Sequence, residues 1–68
     1  MLRLKDLRED KDLSQEEIAR ILNISQRSYS HYEVEDRQIP LEILIKLADY
    51  YNVSVDYILG RTDKKRRG

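Results

Sequence analysis

The side chains best equipped for chemistry concentrate between Gln15 and Glu33, and they are hydrogen-bonding groups: Gln15, Gln26, Arg27, Ser28, Ser30 and His31. His31 is the single histidine and there is no cysteine. No zinc cluster, disulfide framework or thiol nucleophile can therefore be assembled. A lone imidazole without an organised carboxylate cluster makes neither a metal site nor a nucleophile-base pair, and no cofactor motif is present. The expectation is a binding protein with no catalytic residue, metal, cofactor or small-molecule ligand, and not an enzyme. Tyr50, Tyr51 and Tyr57 are a poor stacking platform for single strands, because such platforms interleave aromatic with basic residues. Their neighbours are Asp49, Asn52, Asp56 and apolar side chains, so they read as packing residues.

The elements that position these groups can be read from periodicity and caps. Leu2, Leu4 and Leu7, with charged residues between them, form a narrow apolar stripe, and helix one is expected over Leu2 to Lys11. Ser14 with Glu17 three residues later is a capping box, which starts helix two; its buried stripe is Ile18, Ala19 and Leu22, and Asn23 stops it. Only Asn23 and Ile24 precede Ser25, a second good N-cap, so helix three is expected from Gln26 to about Val34. Val34 to Ile39 lacks periodicity and reads as a loop before Pro40, which suits the first turn of helix four. Helix four carries Leu41, Leu44, Ile45, Leu47, Ala48 and Tyr51 and stops at Asn52, while Ser54 caps a short helix five that ends at Gly60.

This gives an all-α domain over residues 1–60, small enough at 68 residues in all for help from a partner subunit to matter. The segment 61–68 is polar and basic with nothing apolar to bury, and is expected to be a disordered tail. The net charge of zero hides a split: residues 1–60 carry eight Lys/Arg against twelve Asp/Glu, and residues 61–68 carry five against one. Contact with a nucleic acid must then rest on a few placed groups and the tail. No apolar run is long enough to span a membrane, and Met1 to Asp12 lacks the apolar region of a signal peptide, so an intracellular, soluble protein is expected.

Helices two and three meet the requirements of a helix-turn-helix. Apolar residues stand where the helices touch (Ile18, Leu22, Ile24, Tyr29, Tyr32) and the small Ala19 stands at the crossing. Gln26, Arg27, Ser30 and His31 are left on the outer face of the second helix. With this in place the chain resembles the Cro and lambda-repressor family, also called the XRE family. The resemblance covers Leu4 to Gly60. It rests on Leu7-Arg8, Leu13 through Ala19, Glu33, Arg37 to Pro40, and Val53 through Gly60.

The resemblance implies a compact five-helix lambda-repressor-like fold and a cytoplasmic, nucleoid-associated regulator of bacterial or phage type. Such a protein binds double-stranded DNA through the major groove as a homodimer, usually as a repressor on a palindromic operator. By resemblance Gln15 contacts a phosphate and braces the recognition helix. Gln26 and Arg27 sit nearest the groove floor, where glutamine pairs with adenine and arginine with guanine. Ser28 and Ser30 touch phosphate or base, His31 lies one turn along, and Arg8 with Glu33 forms an internal, structural ion pair. The chain departs from the family after Glu33, where a polar residue, a glycine and a lysine or arginine are usual but Val34, Glu35 and Asp36 stand. Arg37 is left as the basic contact of that loop. Asn23 also replaces a common glycine, and Tyr29 a branched aliphatic. Dimer contacts are expected from helix five and from Ile45, Tyr50 or Ile58. The alternative is a protein-interaction module, an antitoxin or adaptor on the same fold, which the acidic body and the Glu35-Asp36 pair favour.

Overall fold

The computed structural model describes residues 2–65. Among them lie five helices and no strand: α1 (Leu4–Asp10), α2 (Gln15–Leu22), α3 (Gln26–Glu33), α4 (Leu41–Tyr51) and α5 (Val55–Ile58). None exceeds 11 residues. Isolated helices this short are marginal in water, so caps and tertiary burial must hold them.

Three starts are capped by serine. Ser14 accepts the Glu17 amide while the Glu17 carboxylate accepts the Ser14 amide, Ser25 accepts from Ser28, and Ser54 accepts from Tyr57. Pro40 sits one position earlier than the sequence suggests, in extended conformation at the N-cap of α4 rather than in its first turn. All five stops share one construction. A left-handed residue (Asp12, Asn23, Glu35, Asn52 or Gly60) donates its N–H to the carbonyl three residues back, and the next residue donates to the carbonyl five back. This arrangement satisfies helix-end carbonyls that would otherwise be orphaned. Only one of the five is glycine.

The core draws on every helix. Leu4, Ile18, Leu22, Tyr29, Leu47 and Ile58 are at most 1% exposed, with Leu7, Ala19, Ile43, Leu44, Ala48, Tyr51 and Val53 around them. Three sequence expectations are corrected. Helix one begins at Leu4 rather than Leu2, because the Arg3 backbone N–H is bonded to the Ile58 carbonyl at 2.8 Å and ties that strand of chain to α5. On α4 the stripe is rotated: Ile43 is buried while Leu41 is 67% exposed. Ile58 is fully buried and cannot be a dimer contact, whereas Ile45 and Tyr50 are exposed.

Arg3 also anchors the chain beyond α5. Its guanidinium donates to the carbonyls of Tyr57 and Thr62, pairs with Asp63 at 2.9 Å, and lies 4.2 Å from the centroid of the Tyr57 ring. The Ser54 amide donates to the Lys65 carbonyl. The expectation of a disordered tail also covers Arg66, Arg67 and Gly68, which lie outside the described residues. Among the described residues no helix is long and apolar enough to cross a membrane.

Candidate nucleic-acid interface

The geometry of α3 follows from how it is entered and what it buries. Asn23 takes the left-handed conformation (φ 59°, ψ 43°), which closes α2 and turns the chain within the short link to Gln26. Asparagine enters that region at modest cost. Ala19, 2% exposed, permits close approach of the two helices, and Ile18 and Leu22 fill the space beside it. On α3 the fully buried anchor is Tyr29. With Tyr29 inward, the 3.6-residue period puts Arg27 and His31 on the opposite face, with Ser28 and Ser30 at its flanks.

Exposure follows this wheel in part. Gln26 and Arg27 are exposed, as is Arg37 in the loop that follows, and none of the three makes a side-chain hydrogen bond or ion pair among the described residues. Ser28, Ser30 and His31 are half-buried. The Ser28 hydroxyl lies 3.0 Å from that of Ser25, within the cap of its own helix. His31 is paired with Asp36, with 2.8 Å between its Nδ1 and the carboxylate Oδ1.

The inner side of α3 is braced by one carboxylate. Glu33 accepts from Arg8 through both oxygens, Nε to Oε2 at 3.0 Å and Nη2 to Oε1 at 3.1 Å, and Oε1 also accepts from the Gln15 side-chain amide at 3.1 Å. Arg8 donates a further bond to the Leu13 carbonyl at 2.8 Å. The side chains of Arg8 and Glu33 are 13% and 6% exposed. Burial alone would raise the Glu33 carboxyl, but hydrogen bonds from Arg8 and Gln15 and the Arg8 charge outweigh it and hold the group below the usual carboxylate range. The Arg8 guanidinium is pushed up, first by its bond to Glu33 and against the opposing effect of burial. The buried Tyr29 hydroxyl forms no well-shaped hydrogen bond, yet burial and then the adjoining Glu33 carboxylate drive its pKa far above the phenol range, so it stays neutral. Helices α1, α2 and α3 are thus tied at one point, and Gln15 is held at the N-terminus of α2.

Among the described residues no group of three His, Cys, Asp or Glu side chains could hold a metal ion. The loop after α3 turns at Glu35, whose φ of 63° occupies the left-handed region where the family usually has glycine. Two contacts escaped sequence reasoning. The His31–Asp36 pair spans a helix stop, and the clamp of Arg3 on Thr62 and Asp63 joins the two ends of the chain. Neither follows a helical or strand period, so no spacing rule signals it.

An α2–turn–α3 unit with a polar outer face, in a five-helix body, defines a helix-turn-helix domain. A helix-turn-helix family model matches residues 4–58, and the chain belongs to that XRE-type family. It is 48% identical over 61 residues to an uncharacterised HTH-type transcriptional regulator, YobD, of Bacillus subtilis, covering 90% of this chain and 54% of that protein. It is 38% identical over 65 residues to the HTH-type transcriptional regulator ImmR of the same organism, covering 96% and 51%. It is 36% identical over 61 residues to the cryptic phage CTXphi transcriptional repressor RstR of Vibrio cholerae, covering 90% and 55%. The chain therefore spans about half the length of these curated relatives.

Proposed function

We propose that this chain is a non-enzymatic, sequence-specific regulator of transcription that reads duplex DNA by laying α3 in the major groove. The observation that carries the reading is the division of α3 into two faces. Tyr29 and Glu33 are committed to the interior, while Arg27 on the opposite face and Gln26 in the first turn stand exposed and unpaired among the described residues. The names of the relatives, transcriptional regulators and a phage repressor, support the same reading.

In this reading Arg27 pairs with guanine and Gln26 with adenine, which are the bidentate matches their donors and acceptors allow. Gln15, at the N-terminus of α2, meets a phosphate where helix-end amides favour an anion. Ser28 and Ser30 contact phosphate or base from the flanks of the face, His31 extends the readout by one turn, and Arg37 offsets Glu35 and Asp36 in the loop. Two copies place their α3 helices in successive major grooves, about 34 Å apart, so the operator is an imperfect palindrome. Repression follows from occupying a promoter, and the site of action is the cytoplasmic nucleoid. The exposed Ile45 and Tyr50 are the contacts proposed for the dimer.

Selection of bound duplexes from a random pool tests this directly. Enrichment of a two-fold sequence with half-sites one helical turn apart is the expected result. The acidic residues exposed beside α3, Glu35 and Asp36, favour a second reading in which the same fold binds a partner protein. Failure to shift random duplex at micromolar protein and low salt would support that reading and overturn the first.

A further inference from the structure

We propose that Asp36 is a positioning residue for readout: it fixes the tautomer of His31, so that the imidazole presents an acceptor to the groove and prefers a base carrying an exocyclic amine. The inference rests on the reading of α3 as the DNA-facing helix. It starts from the 2.8 Å contact between His31 Nδ1 and Asp36 Oδ1. An ionised carboxylate can only accept hydrogen bonds, so the proton in this contact belongs to Nδ1. In the neutral ring Nε2 is then a lone-pair acceptor. A free neutral imidazole favours the opposite arrangement, with the proton on Nε2.

The difference matters because the major groove distinguishes bases by donors and acceptors. An acceptor at Nε2 matches the adenine N6 or cytosine N4 amine and opposes guanine N7 and O6, whereas a donor there would match guanine. Asp36 is held in place by the backbone. Its amide donates to the His31 carbonyl across the left-handed Glu35, and this same turn brings its carboxylate back to the ring Nδ1. The carboxylate therefore acts through His31 and needs no contact of its own with DNA. It also accounts for an acidic residue on a face that otherwise must tolerate phosphates: its charge is spent on one imidazole N–H.

Two measurements at pH 8, one of the ring and one of the DNA that is selected, test the proposal. Ring nitrogen shifts of His31 in the 15N-labelled protein are expected to show a protonated Nδ1 and an unprotonated Nε2. Asp36→Ala should move them toward the Nε2–H form, while Asp36→Asn, whose amide can accept from Nδ1–H or donate to a bare Nδ1, should fall between the two. A wild-type ring protonated at Nε2 would overturn the inference. In parallel, the wild type, His31→Ala, Asp36→Ala and Asp36→Asn are each put through selection from a random duplex pool. His31→Ala and Asp36→Ala are expected to lose, roughly three- to tenfold, the preference at the same adenine- or cytosine-bearing position, which is the scale of one hydrogen bond. Asp36→Asn, which supports either tautomer, should keep only part of that preference. If Asp36→Ala selects the wild-type sequence unchanged, the positioning role fails while the DNA reading stands. If the wild type selects nothing, the DNA reading itself fails.

Discussion

Replacing Glu33 with alanine removes the acceptor on which three helices converge. Arg8 loses both bonds to the carboxylate and is left as a guanidinium 13% exposed, and the Gln15 amide loses its bond to Oε1. Removing one partner of a buried ion pair typically costs 3–5 kcal/mol, because the other charge stays desolvated. Arg8 keeps its bond to the Leu13 carbonyl, so the lower end, about 3 kcal/mol, is expected. A 68-residue domain has roughly 3–10 kcal/mol of stability in all. The variant should therefore melt roughly 12–24 °C lower, at 4–8 °C per kcal/mol for this size. Removing both charges with packing groups, as in Arg8→Met with Glu33→Leu, should recover most of the loss, since no unpaired charge remains.

The same carboxylate sets an acid limb. Its folded pKa lies below the ordinary value of 4.5, so its contribution is complete above that value and is lost as pH falls through the folded pKa. Urea denaturation across pH 2.5 to 7 should show stability falling on the acid side in the wild type, and a flatter limb in Glu33→Gln. A Glu33→Ala cost under about 1 kcal/mol, or a double variant that loses the sum of the two single losses, would refute the role given to this ion pair.

Glu35→Gly should raise stability by about 0.5–1 kcal/mol, because a side chain in the left-handed region costs roughly 1–2 kcal/mol and glycine's greater unfolded entropy takes part of that back; a urea midpoint that falls would contradict it. Tyr51→Phe removes a buried hydroxyl with no hydrogen-bond partner among the described residues and should be within about 0.5 kcal/mol of neutral at pH 7. Burial pushes the Tyr51 hydroxyl up to about 12 from 10, so its contribution is present below pH 10 and lost as pH rises toward 12; Tyr51→Phe should lose less stability over that interval. Arg27→Ala should relax preference at one base pair at a cost of about 1–3 kcal/mol, while Gln15→Ala should weaken all sequences alike, as competition titrations would show. For the tail, Lys64→Gln with Lys65→Gln is a cleaner test than deleting 61–68, which would also strip Thr62 and Asp63 from Arg3. If the tail meets phosphates, the double variant should flatten the salt dependence of affinity, and an unchanged slope would exclude that contact.

The order of helices was legible because each start is written in one side chain and its local partner. Ser14 with Glu17, Ser25 and Ser54 bond to their own helices, so no distant contact is needed to recognise them. Stops were legible where asparagine or glycine closes the helix: Asn23, Asn52 and Gly60 could be read, whereas Asp12 and Glu35 take the same conformation with a weaker signal in the residue type. The face of α4 was misjudged because Leu41, Ile43, Leu44 and Ile45 are all apolar and the run alone does not say which of them turns inward. Gln15 and the polar face of α3 were visible as positions, but the pairing of Gln15 with Glu33 and of His31 with Asp36 depends on the angle at which helices meet and turns close.

A common construction at all five stops makes the residue that follows each left-handed one directly comparable. After α1, α2 and α4 that residue is Leu13, Ile24 or Val53, each packed on or in the core. After α3 and α5 it is Asp36 or Arg61, and each reaches back to the side chain five residues earlier, Asp36 to His31 and Arg61 to Asp56 at 3.9 Å. The apolar version contributes burial, and the charged version contributes little at the surface. A stop at the end of α3 that packed an aliphatic group would therefore be the more stabilising choice. Placing Asp36 there gives up that burial for a hydrogen bond with the His31 imidazole of α3, the contact on which the proposed positioning role rests.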